Sequence, residues 1–377
     1  MRGIETQFLL GQDERMEGNM FDVSTRSEYQ DQIRRLFQSQ FPVSSVKGSG
    51  DVLELVTDAI ISTGKVRLGP KPSIESLYAI RQHVAAMIAA GEPIRFLMPW
   101  GSEKPGHLET VDMAEVGAMK TLLCLQKRVQ EVYSPGIRVR IRIEDATAPS
   151  LFYNDQEQAR TDTRIYVPSL VALICILEMD SFVQPIPESE MVTERDFQTE
   201  FDKLYPAMRQ YIQDSQGHSN PESLDSYLNL LGLGWMGVIP AEQREHYLNT
   251  YRRLYGVGDD EGLILLARYL TQSLARKRLN MLGNLDWKDY LGLSFVGPVP
   301  GEPKNRTGKR IYYRTLSTDI SSFHMAPWRS KGYLSISNDS VRIRLAGWNE
   351  QRDYRQESVT LRNGSLTTTV KCDYEIV

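Results

Sequence analysis

Between residues 94 and 143 the chain reads as strand, helix, strand, and this stretch restricts the fold more than any other. Ile94 to Met98 is a short apolar run bounded by Pro93 and Pro99, the pattern of a buried strand. A turn-rich loop, Gly101-Ser102-Glu103-Lys104-Pro105-Gly106, leads into a helical pattern of Met113, Val116, Leu122, Leu125, Val129 and Val132, which Ser134-Pro135-Gly136 stops. Ile137, Val139, Ile141 and Ile143 then alternate with Arg138, Arg140 and Arg142, the period-two pattern of a strand. Such a unit implies two parallel strands joined by a right-handed crossover, so the loops after both strands leave the sheet at one edge. Open α/β folds bind ligands at that carboxyl edge. A small-molecule site is therefore predicted there, with Lys104 and Asp145 near it.

The flanking sequence extends this to an α/β fold with a Rossmann-like sheet, an α-rich middle section and a β-hairpin-rich C-terminal part. Pro72-Ser73 opens an earlier helix carrying Leu77, Ile80, Val84, Met87 and Ile88, and Gly91 closes it in the left-handed cap position. Residues 1–50 read as an N-terminal appendage with one amphipathic helix (Tyr29, Ile33, Leu36, Phe37), ending in the linker Lys47-Gly48-Ser49-Gly50. Residues 51–350 read as the main domain. Within it, 168–284 carry helical patterns: Phe197, Phe201, Leu204 and Met208; Tyr247, Tyr251, Leu254 and Tyr255; Leu263, Leu266, Leu270 and Leu274. Residues 351–377 read as a C-terminal hairpin extension. Hairpin signals stand at Asn338-Asp339 and at Asn363-Gly364, the latter suited to a type I′ turn because both central residues need positive φ.

Charge limits the partners. The chain carries 44 basic and 48 acidic side chains, a formal charge of only −4, so no field gathers nucleic acid or an anionic membrane. The most apolar stretch, Leu170 to Leu177, is far short of the ~20 residues of a membrane span and reads as a buried helix. The N-terminus has only Phe8-Leu9-Leu10 before acidic residues and lacks the apolar core of a signal peptide. Three cysteines, Cys124, Cys175 and Cys372, stand in no metal or redox spacing. A cytoplasmic protein with reduced thiols is expected, and the sequons at Asn305, Asn338 and Asn363 read as chance.

The candidate chemistry gathers near the predicted edge. Asp112-Met113-Ala114-Glu115 fits a capping box at the start of the second helix; the alternative is a pair of carboxylates at the ligand edge, one of them a general base, and one can cap while the other faces the site. Lys104 is either a solvated loop lysine or a cation for phosphate or imine chemistry. Glu144 and Asp145 either end a strand or orient a substrate amine or hydroxyl. The three alternating arginines form a salt-bridged or solvated face, or else an anion groove. Arg276-Lys277-Arg278 could meet a phosphate from a helix or form a charged helical face. Gly256-Val257-Gly258 follows a helix and is no dinucleotide loop, the five histidines show no metal-ligand spacing, and no P-loop or nucleophile elbow appears. His107 and His324 are the histidines expected in loops near the chemistry.

Five segments in order then resemble a known family. Phe96-Leu97-Met98-Pro99-Trp100 with Lys104-Pro105, Val111-Asp112-Met113-Ala114-Glu115, Val132-Tyr133-Ser134-Pro135-Gly136, Glu144-Asp145, and downstream Leu293-Ser294-Phe295-Val296-Gly297-Pro298 with Ala326-Pro327-Trp328-Arg329 are similar in order and spacing to the isocyanide (isonitrile) synthases of pyoverdine and dityrosine biosynthesis. The resemblance spans roughly residues 50–350 and implies a Rossmann-like core with a helical section, no metal and no organic cofactor. It implies condensation of an amino acid amine, often of tyrosine or tryptophan, with the ketone of ribulose 5-phosphate, whose C2 becomes the isonitrile carbon. On this resemblance Lys104, Glu115 and Asp112 are the catalytic candidates, and Asp145, Ser294, Trp328, Arg329, His324, Arg276 and Arg278 the substrate-binding ones. Gly292, Val296 and Arg329 stand where the family carries an arginine and two histidines. Arg329 or Lys331 can restore the charge but not a group that titrates near neutral pH. The alternative is a relative that no longer catalyses and binds a metabolite or protein through the polar hairpins of residues 333–377.

Overall fold

The computed structural model describes residues 5–8, 50–61, 74–101, 110–147, 156–217, 289–295, 310–312, 327, 330–337, 340–347, 354–363 and 365–376, with single positions between 264 and 279. The chain is an α/β protein built on two five-stranded sheets. The first contains β2 (Ile94–Trp100), β3 (Ile137–Ile143), β4 (Val183–Pro187), β5 (Leu291–Ser294) and β6 (Arg310–Tyr312), in the order β4-β3-β2-β5-β6. Every pairing in it is parallel. The crossover expected from the sequence is present: β2 and β3 pair from Ile94 opposite Ile137 to Trp100 opposite Ile143. The helix between them, Met113–Gln130, occupies the predicted stretch.

In chain order the helices are α1 (Val52–Ile61), α2 (Ile74–Ala90), α3 (Met113–Gln130), α4 (Gln156–Ile176) and α5 (Glu194–Gly217). Gly91 has φ +67, and the amides of Gly91 and Glu92 donate back to Ile88 and Met87, so the left-handed cap read from the sequence closes α2. Residues Ile137, Val139, Ile141 and Ile143 bury one face of β3, each contributing about 1.5–3 kcal/mol by removal from water. On the other face Arg138 is exposed, Arg140 half-buried and Arg142 buried.

The second sheet is mixed, in the order β1-β9-β10-β7-β8, from β1 (Glu5–Phe8), β7 (Ser330–Ser337), β8 (Ser340–Gly347), β9 (Arg355–Asn363) and β10 (Leu366–Ile376). It packs on α3 and α4, and α3 also packs on β3 of the parallel sheet, so α3 lies between the two sheets. One apolar core runs through both, from Phe96 and Val139 through Met119 and Tyr166 to Leu334 and Val370.

Several local readings differ from the structure. The middle section is not helical throughout, because β4 lies inside it; its sequence Val-Gln-Pro-Ile-Pro hides a strand, and prolines are tolerated there because β4 is the sheet's edge. Strand β2 does not stop before Pro99 but runs through it to Trp100, beyond Phe96 and Leu97 where β5 pairs. Helix α4 begins at Gln156 and carries Pro168 internally. Leu366 pairs with Asn363, so Asn363 ends a strand and the turn falls one position later than the Asn-Gly reading. Ser337 pairs with Ser340, as the Asn338-Asp339 hairpin requires. Residues 5–8 form an edge strand against β9 that the sequence reading did not foresee. The amphipathic helix expected near residues 29–37 and the helical pattern near 247–255 lie outside the described residues.

Candidate functional site at the carboxyl edge of the parallel sheet

The strand order places β3 and β4 on one side of β2 and β5 and β6 on the other. Chain direction across the sheet therefore reverses between β2 and β5, and in open α/β sheets that reversal opens a ligand crevice at the carboxyl ends. Trp100 ends β2 and Ser294 ends β5. Their neighbours meet directly: the Trp100 and Phe295 rings stand edge to face, centroids 6.2 Å apart.

From Trp100 a buried polar chain runs into α3. The Trp100 Nε1–H donates to Tyr166 Oη at 2.8 Å, and the Tyr166 hydroxyl donates to Glu115 Oε1 at 3.0 Å. The direction is forced, since an indole can only donate. Glu115 Oε2 accepts the Asp112 amide at 2.8 Å, while Asp112 Oδ1 accepts the Ala114 amide at 2.7 Å, completing a capping box. The second Asp112 oxygen accepts the Gly332 amide at 3.1 Å, from β7 of the other sheet. Both side chains thus accept at both oxygens and are fully buried at the first turn of the helix. Burial, then the Glu115 charge, pushes the Tyr166 hydroxyl well above the usual tyrosine range, so it stays a donor.

The second sheet closes over this cap. Asp112 forms a one-residue parallel bridge with Lys371, whose amide donates to Val111 O at 3.0 Å. Lys331 pairs with Asp373 and lies 4.5 Å from the Tyr354 ring centroid. Burial raises the Asp373 carboxyl, and Lys331 pulls against it. On α3 itself, burial pushes the Lys120 ammonium down to about 8.

Over the ends of β3 and β4 the edge is filled by protein. The Glu144 amide donates to Trp100 O at 2.8 Å, tying this half to β2. Glu144 pairs with Arg142 at 3.3 Å and with Arg276 at 3.0 Å, while Glu188 pairs with the same two arginines at 3.3 Å each. Thr147 Oγ1 donates to Glu188 at 3.0 Å, and Gln272 Nε2 donates to Thr147 O at 2.8 Å. Burial raises the Glu188 carboxyl against the pull of Arg276 and Arg142. Asp145 accepts the Ser189 amide at 3.0 Å and the Ser189 hydroxyl, joining the loops after β3 and β4.

The structure therefore brings Asp112, Glu115, Asp145, Ser294 and Arg276 to one sheet edge, but Asp145 and Arg276 are engaged by protein partners. Arg278 turns instead to Glu200 of α5, at 3.1 Å. Lys104, His324, Trp328 and Arg329 lie outside the described residues. Sequence reading missed Tyr166, Thr147, Glu188 and Gln272. Tyr166 sits in a helix whose start it did not find, and Glu188 follows the proline-masked β4. Among the described residues no three His, Cys, Asp or Glu side chains converge as metal ligands, and no helix is long and apolar enough to cross a membrane.

No protein-family model and no curated protein matches the chain. Among solved structures it is similar to the PvcA protein from Pseudomonas aeruginosa, at 17% identity and TM-score 0.51, over 86% of this chain and 100% of that one. That likeness establishes a PvcA-like fold. Two tyrosyl-tRNA synthetases also align. The one from Aeropyrum pernix has 9% identity and TM-score 0.31 over 71% of this chain and 63% of its own. The one from Archaeoglobus fulgidus, solved with L-tyrosine, has 12% identity and TM-score 0.33 over 70% of this chain and 64% of its own.

Proposed function

We propose that the chain is a biosynthetic enzyme resembling isocyanide synthases, which joins the amine of an amino acid to a carbonyl partner such as ribulose 5-phosphate and forms an isonitrile or a related product. The observation that carries this reading is the buried Asp112–Glu115 carboxyl pair, set beside the switch point of a parallel sheet whose fold is PvcA-like. The motif resemblance and the likeness of fold point the same way, though the second speaks for the fold alone.

Condensing an amine with a ketone expels water and needs the amine deprotonated. Glu115 is the proposed general base, its two oxygens accepting from the Asp112 amide and the Tyr166 hydroxyl, with Asp112 as second base or cap. Lys104 is the proposed cation or imine-forming amine. Ser294, Trp328, Arg329 and His324 are proposed to contact the substrates, with Asp145, Arg276 and Arg278 behind them. No organic cofactor or metal enters this scheme. A cytoplasmic enzyme acting on small molecules, without nucleic acid or membrane partners, is the accompanying proposal.

A second reading, a relative that binds a metabolite or protein without turnover, is favoured by one observation: Asp145 and Arg276 are spent on Ser189 and on Glu144 and Glu188. Lys104→Ala and Glu115→Ala separate the two. Under the enzymatic reading both variants fold and lose product. Under the binding reading wild-type protein is stabilised by a ligand from a panel of amino acids and sugar phosphates, yet consumes none of them.

A further inference from the structure

We propose that Tyr166 is the positioning residue of this crevice, a clasp that fixes the end of β2 and the first turn of α3 against each other. Strand β2 ends at Trp100, and α3 starts at Met113 with Asp112 as its N-cap. Tyr166, from α4, accepts from Trp100 at one of these points and donates to Glu115 at the other, at 2.8 and 3.0 Å. All three side chains are fully buried, so water does not compete for either bond. Apolar packing alone would leave the strand end and the helix start free to slide, because dispersion has no direction; two oriented hydrogen bonds through one oxygen do not. The ligand's identity rests on the proposed function, whereas the clasp does not.

The test is Tyr166→Phe in the full chain, followed by amide hydrogen exchange. Exchange in the peptide covering Leu97 to Val116 is expected to speed by about tenfold or more while β9 and β10 stay protected. Trp100→Phe provides a second variant should the first fail to fold: it removes the indole donor and leaves the Tyr166–Glu115 bond, so loosening is expected before residue 102 and not from Val111 to Val116. Unchanged exchange between Leu97 and Val116 in folded Tyr166→Phe, or an equal rise throughout the chain, overturns the proposal, as does loosening of Val111 to Val116 in Trp100→Phe. A purely structural tyrosine would also leave ligand binding intact once folded. Thermal stabilisation by tyrosine or ribulose 5-phosphate is expected to fall at least by half in Tyr166→Phe and to persist in Tyr205→Phe, whose ring stacks on Phe201 in α5. Wild-type protein that no ligand stabilises would sink the functional reading and leave the clasp to be judged by exchange.

Discussion

Gly332 on β7 stands so close to Ala114 on α3 that a Cβ at Gly332 would lie 1.9 Å from the Ala114 amide nitrogen. The approach has a purpose, since it lets the Gly332 amide reach Asp112 at 3.1 Å and ties the second sheet to the helix cap. Only glycine allows a strand backbone this near a helix backbone, and neither backbone can give way as a flexible side chain would. Gly332→Ala is therefore expected to destabilise the protein by about 3 kcal/mol or more, from the clash and the lost charge-assisted bond. Denaturant unfolding measures this, and a change under about 0.5 kcal/mol would contradict the packing described.

Asp112→Asn probes the same joint without changing shape. An asparagine has one accepting oxygen, whereas Asp112 accepts from Ala114 and Gly332 on different oxygens. One backbone amide would then face an NH₂ group in a buried site. The expected cost is about 1–3 kcal/mol in the unfolding free energy, and a neutral result would mean that the two bonds do not coexist.

The polar plug over β3 and β4 balances two arginines against two glutamates. Arg276→Met leaves Glu144 and Glu188 to share the charge of Arg142 and is expected to cost about 3–5 kcal/mol. Adding Glu188→Leu restores the balance, leaving the Arg142–Glu144 pair. The double variant should fall short of the summed single losses by about 1–3 kcal/mol in chemical denaturation. Strict additivity would show that the charges act independently.

Much of this fold was legible in the sequence, and the failures have physical causes. The strict alternation of Ile137 to Ile143 and the Gly91 cap report local periodicity and backbone geometry, so the crossover and its helices were readable. The Asp112–Glu115 spacing announced its capping box for the same reason. Strand β4 was not readable because Pro185 and Pro187 break β propensity, and only its place at the sheet edge makes them harmless. Tyr166, Glu188 and Gln272 could not be found, since each meets partners dozens of residues away and no local pattern encodes such contacts. Arg276 reads in the sequence as part of a charged helical face or as a phosphate contact, and its burial against Glu144 and Glu188 depends on residues far along the chain that no local pattern encodes.

Lys120 supplies a pH dependence with a definite sign. Burial lowers its folded-state value from 10.5 to about 8, so between these limits the unfolded chain binds a proton that the folded protein does not. Stability attributable to this group must then rise with pH across that window, and a penalty on the order of 3 kcal/mol persists below it. Lys120→Met is expected to be more stable than wild type at pH 7 and to lose the difference as pH rises towards 10.5. Urea titrations of both proteins across the window give the comparison, and parallel pH curves would contradict the assignment.

The central proposal is amine-to-ketone condensation at the β2 and β5 ends, and the fate of the sugar carbon tests it most directly. Purified protein is incubated with a panel of amino acids including tyrosine and tryptophan, and with ribulose 5-phosphate labelled with carbon-13 at C2. The predicted result is a product in which the labelled carbon is bonded to the amino acid nitrogen, formed by wild type and abolished in Glu115→Ala. Recovery of every amino acid and of the labelled sugar phosphate unchanged, from protein shown to be folded, would contradict it.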